Sequence, residues 1–316
     1  MFKVKNGPSR LGCGVCSAGL LALFLTLTSR AGVEEMDLAR AQMLADKGDA
    51  KAEYFVGKSY ADGTGVAQDF GKAAEFYRQA ADQGNVEAEN NLAVLYADGK
   101  GVKQDWAEAA KWLRKAADAG DAIAQYNLGN SYAHGRGVAT NFDDAIAWYR
   151  KAAGQNLVSA MQALGELYYL NEGVEPDYQE ALKWNRKAAD LGSASAQNNL
   201  GVMYQDGHGV QQSDEEAAKW FEKAAEQGLA KAQFTLAIAY SYGKGVEKDR
   251  IKTAYWLSLS ANGGFHVARE TLDYFQASPS ALNDQEIAQV NQMIKDYYAR
   301  HPGVKGSGTL LPKTSM

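Results

Sequence analysis

The sequence predicts an all-α protein: an α/α superhelical solenoid of six 36-residue helix–turn–helix repeats, closed at both ends by capping helices. Three observations predict it. Tyrosine returns at a 36-residue interval, as Tyr60, Tyr96, Tyr132, Tyr168, Tyr204 and Tyr240. Around each tyrosine an alanine stands eight residues before (Ala52, Ala88, Ala124, Ala160, Ala196, Ala232) and a valine six after (Val66, Val102, Val138, Val174, Val210, Val246). An aromatic follows sixteen residues after each tyrosine, as Phe76, Trp112, Trp148, Trp184, Trp220 and Trp256. Composition agrees, since 46% hydrophobic residues and only five prolines in 316 exclude a disordered or collagen-like chain. Lys+Arg 33 against Asp+Glu 38 gives a net charge of −5, which excludes the basic surface of a nucleic-acid binder.

Residues 1–31 read as a secretory signal peptide. Lys3, Lys5 and Arg10 precede an apolar stretch from Gly14 to Leu27, too short to cross a bilayer, and Ser29 and Ala31 supply the small residues a signal peptidase reads. Cleavage is expected after Ala31, with an uncleaved anchor as the alternative, so the expected location is the periplasm or outside the cell, with no stable membrane span after cleavage. Cleavage removes four basic residues and no acidic one, taking the net charge from −5 to −9. It also removes both cysteines, Cys13 and Cys16, leaving a chain without disulfides.

Residues 32–48 predict an N-terminal capping helix, within Glu34 to Lys47, and residues 49–264 the six repeats. In each repeat Ala, Val or Leu, and Tyr at i, i+4 and i+8 make one helical stripe; the Ala pair and the aromatic make a second. Between them lie glycine pairs such as Gly63 and Gly65, suited to a reversing chain. Asp105 to Glu108, Asp177 to Glu180 and Ser213 to Glu216 fit capping boxes, and Gly84, Gly120, Gly192, Gly228 and Gly264 fit helix stops. Small residues such as Gly57, Gly129, Gly165 and Gly201 are expected to let paired backbones approach. The fourth repeat departs, with Asn156 and Asn171 at glycine positions and Pro176 in the loop, so a local distortion is expected there. Residues 265–300 predict the C-terminal capping helices, the last from Asn283 to Arg300 with Ile287, Val290, Met293 and Ile294 facing inward. Residues 301–316, rich in Gly, Ser, Lys and Pro, predict a disordered tail.

The frame Ala124, Leu128, Gly129, Tyr132, Gly135, Gly137, Val138, Ala145, Trp148, Tyr149, Lys151, Ala152 and Ala153 resembles the Sel1-like repeat, a relative of the tetratricopeptide repeat. That resemblance implies a concave face, lined mainly by first helices, that holds proteins or peptides, and it implies no catalytic residue. One secreted branch of the family, with a disulfide in each repeat, binds penicillin and hydrolyses β-lactams slowly; no repeat here contains a cysteine.

No catalytic motif interrupts the frame. There is no G-x-S-x-G, G-x-x-x-x-G-K-[ST], H-E-x-x-H or G-x-G-x-x-G. His134, His208, His266 and His301 lack ligand spacing, so no metal or cofactor is expected. The Gly-x-Gly loops read as turns, and the tryptophans as core. Leu311-Pro312-Lys313-Thr314 has no apolar segment after it and is discounted as a sorting signal.

Helical phase then places a surface. At 100° per residue Lys51, Tyr54, Phe55 and Lys58 share the side of the first helix opposite the core stripe. Translated through the repeats, that phase selects Asn91, Tyr126, Asn127, Asn130, Glu166, Asn198 and Asn199, which with Tyr54 form the candidate partner-binding set. A carboxamide both gives and accepts backbone hydrogen bonds, and tyrosine adds apolar contact, so the set suits an extended peptide; the alternative is that these asparagines bond neighbouring helices. The leading expectation is an exported, non-enzymatic scaffold for a protein or peptide partner. The alternative is a weak cell-envelope hydrolase or peptidoglycan- or β-lactam-binding protein, and a third is a self-assembling adaptor.

Overall fold

The computed structural model describes residues 37–170, 173–278, 281–304 and 310–312; the signal-peptide segment, 1–31, and Asn171 lie outside the described residues. The chain divides into two units, residues 1–37 and residues 38–316, and all that follows concerns the second. Among the described residues there are fifteen helices and no strand. The first is α1 (Leu38–Ala45). Repeats one to three are α2 (Ala50–Asp62) with α3 (Phe70–Asp82), α4 (Val86–Asp98) with α5 (Trp106–Asp118), and α6 (Ala122–His134) with α7 (Phe142–Gly154). Repeats four to six are α8 (Val158–Tyr169) with α9 (Tyr178–Asp190), α10 (Ala194–Asp206) with α11 (Asp214–Glu226), and α12 (Ala230–Tyr242) with α13 (Arg250–Asn262). Two end helices close the unit, α14 (His266–Ala277) and α15 (Asp284–Arg300). Helices adjacent in sequence pack on one another from α1 through α14, and α15 returns onto α13, as a solenoid requires.

The recurring tyrosine anchors the turn between the two helices through its main chain. The Tyr60, Tyr96, Tyr132, Tyr168, Tyr204 and Tyr240 carbonyls each accept the N–H of the residue capping the second helix, at 2.9–3.1 Å. This alters the expected capping boxes. Asp105, Asp177 and Ser213 do accept the N–H of Glu108, Glu180 and Glu216. The reciprocal bond is not made, because each cap's own N–H is already given to the tyrosine carbonyl; the glutamates instead pair with Lys111, Lys183 and Lys219. Among the described residues, a complete box forms only where no repeat loop precedes it, at Asn283 and Glu286 of α15.

Two glycine positions differ in what demands them. Gly129, inside α6, lies under the Tyr149 ring, and a Cβ there would sit 2.6 Å from it. Gly57 with Tyr77 and Gly201 with Phe221 repeat the arrangement, whereas repeats two and six put Ala93 and Ala237 at this position, with the smaller Leu113 and Leu257 on the facing helix. Small against large keeps interhelical volume constant. Gly137 has φ +73°, and a Cβ on it would collide with the Trp106 carbonyl of the preceding repeat. Loop glycines therefore set the stacking of repeats as well as the reversal within one.

Repeat four is locally distorted, as expected. Asn156 takes φ 64°, the left-handed value that glycine adopts elsewhere. Helix α8 begins after Leu157 with no side-chain cap and ends a residue early, at an extended Leu170. At the C-terminal end Val290 and Ile294 are fully buried, and Ile287 nearly so; Tyr297, also fully buried, was not among the expected residues. The tail departs from expectation as well. Residues 301–304 and 310–312 are not a detached tail: Val304 packs over Gly228, and Leu311, only 6% exposed, joins the core around α12 and α13. An apolar side chain with a cavity to fill outweighed the flexible composition around it.

Candidate functional site

The first helices α2, α4, α6, α8, α10 and α12 present one solvent-facing stripe. Lys51, Lys58, Glu87, Val94, Ile123, Ser159, Ser195 and Lys231 on it are exposed, with Val94 and Ile123 among the large apolar side chains left in water. The candidate residues sit deeper. Tyr54, Asn91, Tyr126, Asn127, Asn130, Glu166 and Asn199 are half-buried. Asn198 is a correction to the outward assignment: it is 4% exposed, because helical phase fixes a direction from the helix axis and not how far neighbouring elements cover it.

These residues form three clusters, each around one second-helix side chain. In the first, the Tyr54 and Tyr77 rings lie 5.9 Å apart, with Asn91 beside the Tyr77 hydroxyl. In the second, Tyr126 and Tyr149 are 5.8 Å apart and the Tyr149 hydroxyl donates to Asn130 Oδ1 at 2.7 Å. Burial, then Tyr126 and Glu166, pushes the Tyr149 phenol up, and burial does the same to Tyr77; both remain protonated donors. Asn127 reaches back across the repeat boundary to donate to Asn90 Oδ1 at 3.3 Å. In the third, the aromatic is replaced: buried Asn185 of α9 accepts from Asn199 Nδ2 at 3.1 Å and donates to the Ala181 carbonyl at 2.9 Å. Beside it, Asn198 Oδ1 is buried with no hydrogen-bond partner. Such a group is costly to leave unsatisfied.

The asparagines thus have internal partners, as one reading of the sequence allowed, while each retains donor or acceptor capacity beyond the bond it makes. The candidate residues offer neutral donors and acceptors, tyrosine edges and one carboxylate, Glu166, while Lys51, Lys58, Glu87 and Lys231 add charge on the exposed part of the stripe. It is an array for hydrogen bonding.

Sequence reasoning missed two patterns. The first is a doubled period. Gly57, Gly129 and Gly201, the aromatics Tyr77, Tyr149 and Phe221, and Gln83, Gln155 and Gln227 recur at 72 residues, so repeats one, three and five share a packing that repeats two, four and six do not. Each of these glutamines bonds the buried Glu53, Gln125 or Gln197 of its own repeat, at 2.7–2.9 Å. Gln125, Gln197 and Gln233 in turn donate to the last-turn carbonyls of Ala117, Ala189 and Ala225, which also accept the N–H groups of Gly120, Gly192 and Gly228. The second is an arginine ladder: Arg78, Arg114, Arg150 and Arg186 each bond the tyrosine hydroxyl of the next repeat, at 2.9 and 2.8 Å for the last two. Arg114 and Arg186 also stack over Trp148 and Trp220. Trp112, Trp148, Trp184, Trp220 and Trp256 are core, 3–7% exposed, whereas Trp106 at the start of α5 is half-buried.

One remaining feature has a structural role. His208 stacks on Tyr178 at 4.3 Å and bonds the Tyr169 hydroxyl, joining the loops of repeats four and five. Among the described residues, no helix is long and apolar enough to cross a membrane.

Fold and stripe together define an α/α repeat scaffold. The Sel1 repeat matches six times, at residues 50–85, 86–121, 122–157, 158–193, 194–229 and 230–265, one residue later in register than the 49–264 read from the sequence, and the chain belongs to the Sel1 repeat family. It is similar to the crystal structure of c5321, a protective antigen present in uropathogenic Escherichia coli strains displaying an SLR fold. The two are 34% identical with a TM-score of 0.74 over 84% of this chain, which spans 57% of that one. It is also similar to a Sel1 repeat protein from Oxalobacter formigenes, at 29% identity and TM-score 0.63, covering 71% of this chain and 89% of that one. No curated protein matches.

Proposed function

We propose that this chain is an exported, non-enzymatic scaffold that holds a protein or peptide partner, in extended form, against the first-helix stripe, in the periplasm or outside the cell. The observation that carries the reading is the row of half-buried carboxamides beside tyrosine rings, ending at a buried Asn198 carbonyl oxygen without a partner. An extended main chain offers alternating N–H and C=O groups, which such a row matches without reading side-chain charge. Export rests on the sequence of residues 1–31.

The test is selection from a random-peptide display library on the chain from Gly32 onward, followed by titration of the selected peptides against Asn127→Ala/Asn199→Ala. The variant is expected to weaken binding at least about tenfold, two lost hydrogen bonds of about 0.7 kcal/mol each. Equal affinity for both proteins refutes the stripe as the site. The same preparation is expected to turn over no chromogenic β-lactam.

A further inference from the structure

The tail is seated by a device that reads main chain. Asn291, on α15, donates from Nδ2 to the Leu311 carbonyl at 2.9 Å and accepts the Leu311 N–H at its Oδ1 at 2.7 Å. One carboxamide can do both only if the residue it faces is extended, because only then do a residue's own N–H and C=O point to one side. Pro312 supplies that condition: a residue before proline is driven from the helical region toward extended backbone. Proline also has no N–H to leave unsatisfied.

The side chain is read separately. Leu311 is 6% exposed and packs in the core of the last repeat, while Leu310 and Pro312 on either side remain in water. The adjoining depression, about 200 Å³, is lined by Ser258 and Asn262 of α13, by Arg269, Leu272, Asp273 and Gln276 of α14, and by the tail. Arg269 and Asp273 balance in charge, so the cleft selects neither sign. What holds the segment is one buried side chain and two hydrogen bonds, set against the ordering of three residues, which is a close balance.

We propose that the cleft formed by α13, α14 and Asn291 of α15 is a peptide-binding site for an extended segment with leucine before proline, occupied in cis by Leu311, and that a partner's Leu-Pro segment displaces the tail. Asn291 reads the ligand's backbone and the cavity reads the leucine. The site lies at the end of the solenoid and does not depend on the first-helix stripe.

The probe is a synthetic peptide of residues 306–316. Full-length Leu311→Asp, whose tail cannot enter the cavity, is expected to bind it saturably and at least about tenfold more tightly than wild type, where the tethered tail competes. The peptide carrying the same Leu→Asp change, and the double variant Asn291→Ala/Leu311→Asp, are expected to show no binding. Wild type supplies a readout that needs no variant: with the chain isotopically labelled, excess unlabelled peptide is expected to move the Leu311 amide resonance to its released position. Absence of saturable binding to a folded Leu311→Asp chain overturns the proposal, as does a Leu311 resonance indifferent to peptide; either result leaves the tail a structural strap.

Discussion

In repeat three, Tyr149 lies across Gly129, Gln125 ties α6 to the last turn of α5, and Asp121 caps α6. In repeat four the same frame positions hold Asn185, Gly165, Met161 and Leu157. The aromatic is replaced by a buried amide, the seam amide by a thioether, and the cap by a residue with no side-chain acceptor. Both repeats nonetheless place their helices alike, because Ala124 and Ala160, Leu128 and Leu164, and Ala152 and Ala188 are fully buried in both. Small and branched apolar residues at the helix crossings thus set the backbone. The positions between them decide whether the interior is filled by an aromatic ring, as in repeat three, or by the polar side chain of Asn185, which bonds Asn199 of the next repeat.

Substitutions can break or sharpen that contrast. Tyr149→Ala is expected to cost about 3–5 kcal/mol by leaving a ring-sized cavity over Gly129, measured by urea unfolding; Asn185→Ala is expected to cost about 1–3 kcal/mol through the stranded Asn199 donor. Equal losses would mean that the two interiors are equivalent. Gly137→Ala adds positive-φ strain to a collision with the Trp106 main chain and is expected to lose about 2–4 kcal/mol. Gly173→Ala meets the Phe142 ring, which can turn aside, so its loss is expected to be smaller in the same assay.

A finer probe is the seam position that holds Gln125 in repeat three and Met161 in repeat four. Repeat two has Glu89 there, buried, and an ionised carboxylate has no proton to donate where Gln125 gives one. Burial pushes Glu89 up from 4.5, partly offset by Lys115. Because its folded pKa lies above its unfolded one, the folded chain binds the proton more tightly, so stability falls as pH rises from about 4.5 through the folded value. Glu89→Gln is therefore expected to gain about 1 kcal/mol at pH 7, a gain that shrinks toward zero below pH 4.5; thermal melts across that range check it, and a pH-independent gain would assign the effect to packing alone. The smallest expected change is Met161→Gln, a gain of about 0.5 kcal/mol from one donor returned to repeat four.

Much of this was legible beforehand. The 36-residue frame located every repeat to within a residue, and the left-handed Asn156 followed from its being the best substitute for glycine. The doubled period was equally present, in Gly57, Gly129 and Gly201 against Gln83, Gln155 and Gln227, but it appears only when unlike positions on two helices are compared together. Helical phase identified the stripe, yet it could not set depth: Asn198 occupies the phase of Tyr54 and Tyr126 and is buried.

What the sequence determined by itself is the repeat, because a helix pair that packs only on its neighbours must carry the same small and apolar residues each time the interface recurs. Partnership across the interface was decided by the tertiary structure alone. The donation of each capping N–H to a tyrosine carbonyl, the arginine ladder, the Asn199–Asn185 bond and the seating of Leu311 against Asn291 join groups far apart along the chain, or spend a donor the local motif had assigned elsewhere. A side chain with several possible partners takes the one that folding brings within reach, and that distance exists only once the helices have stacked.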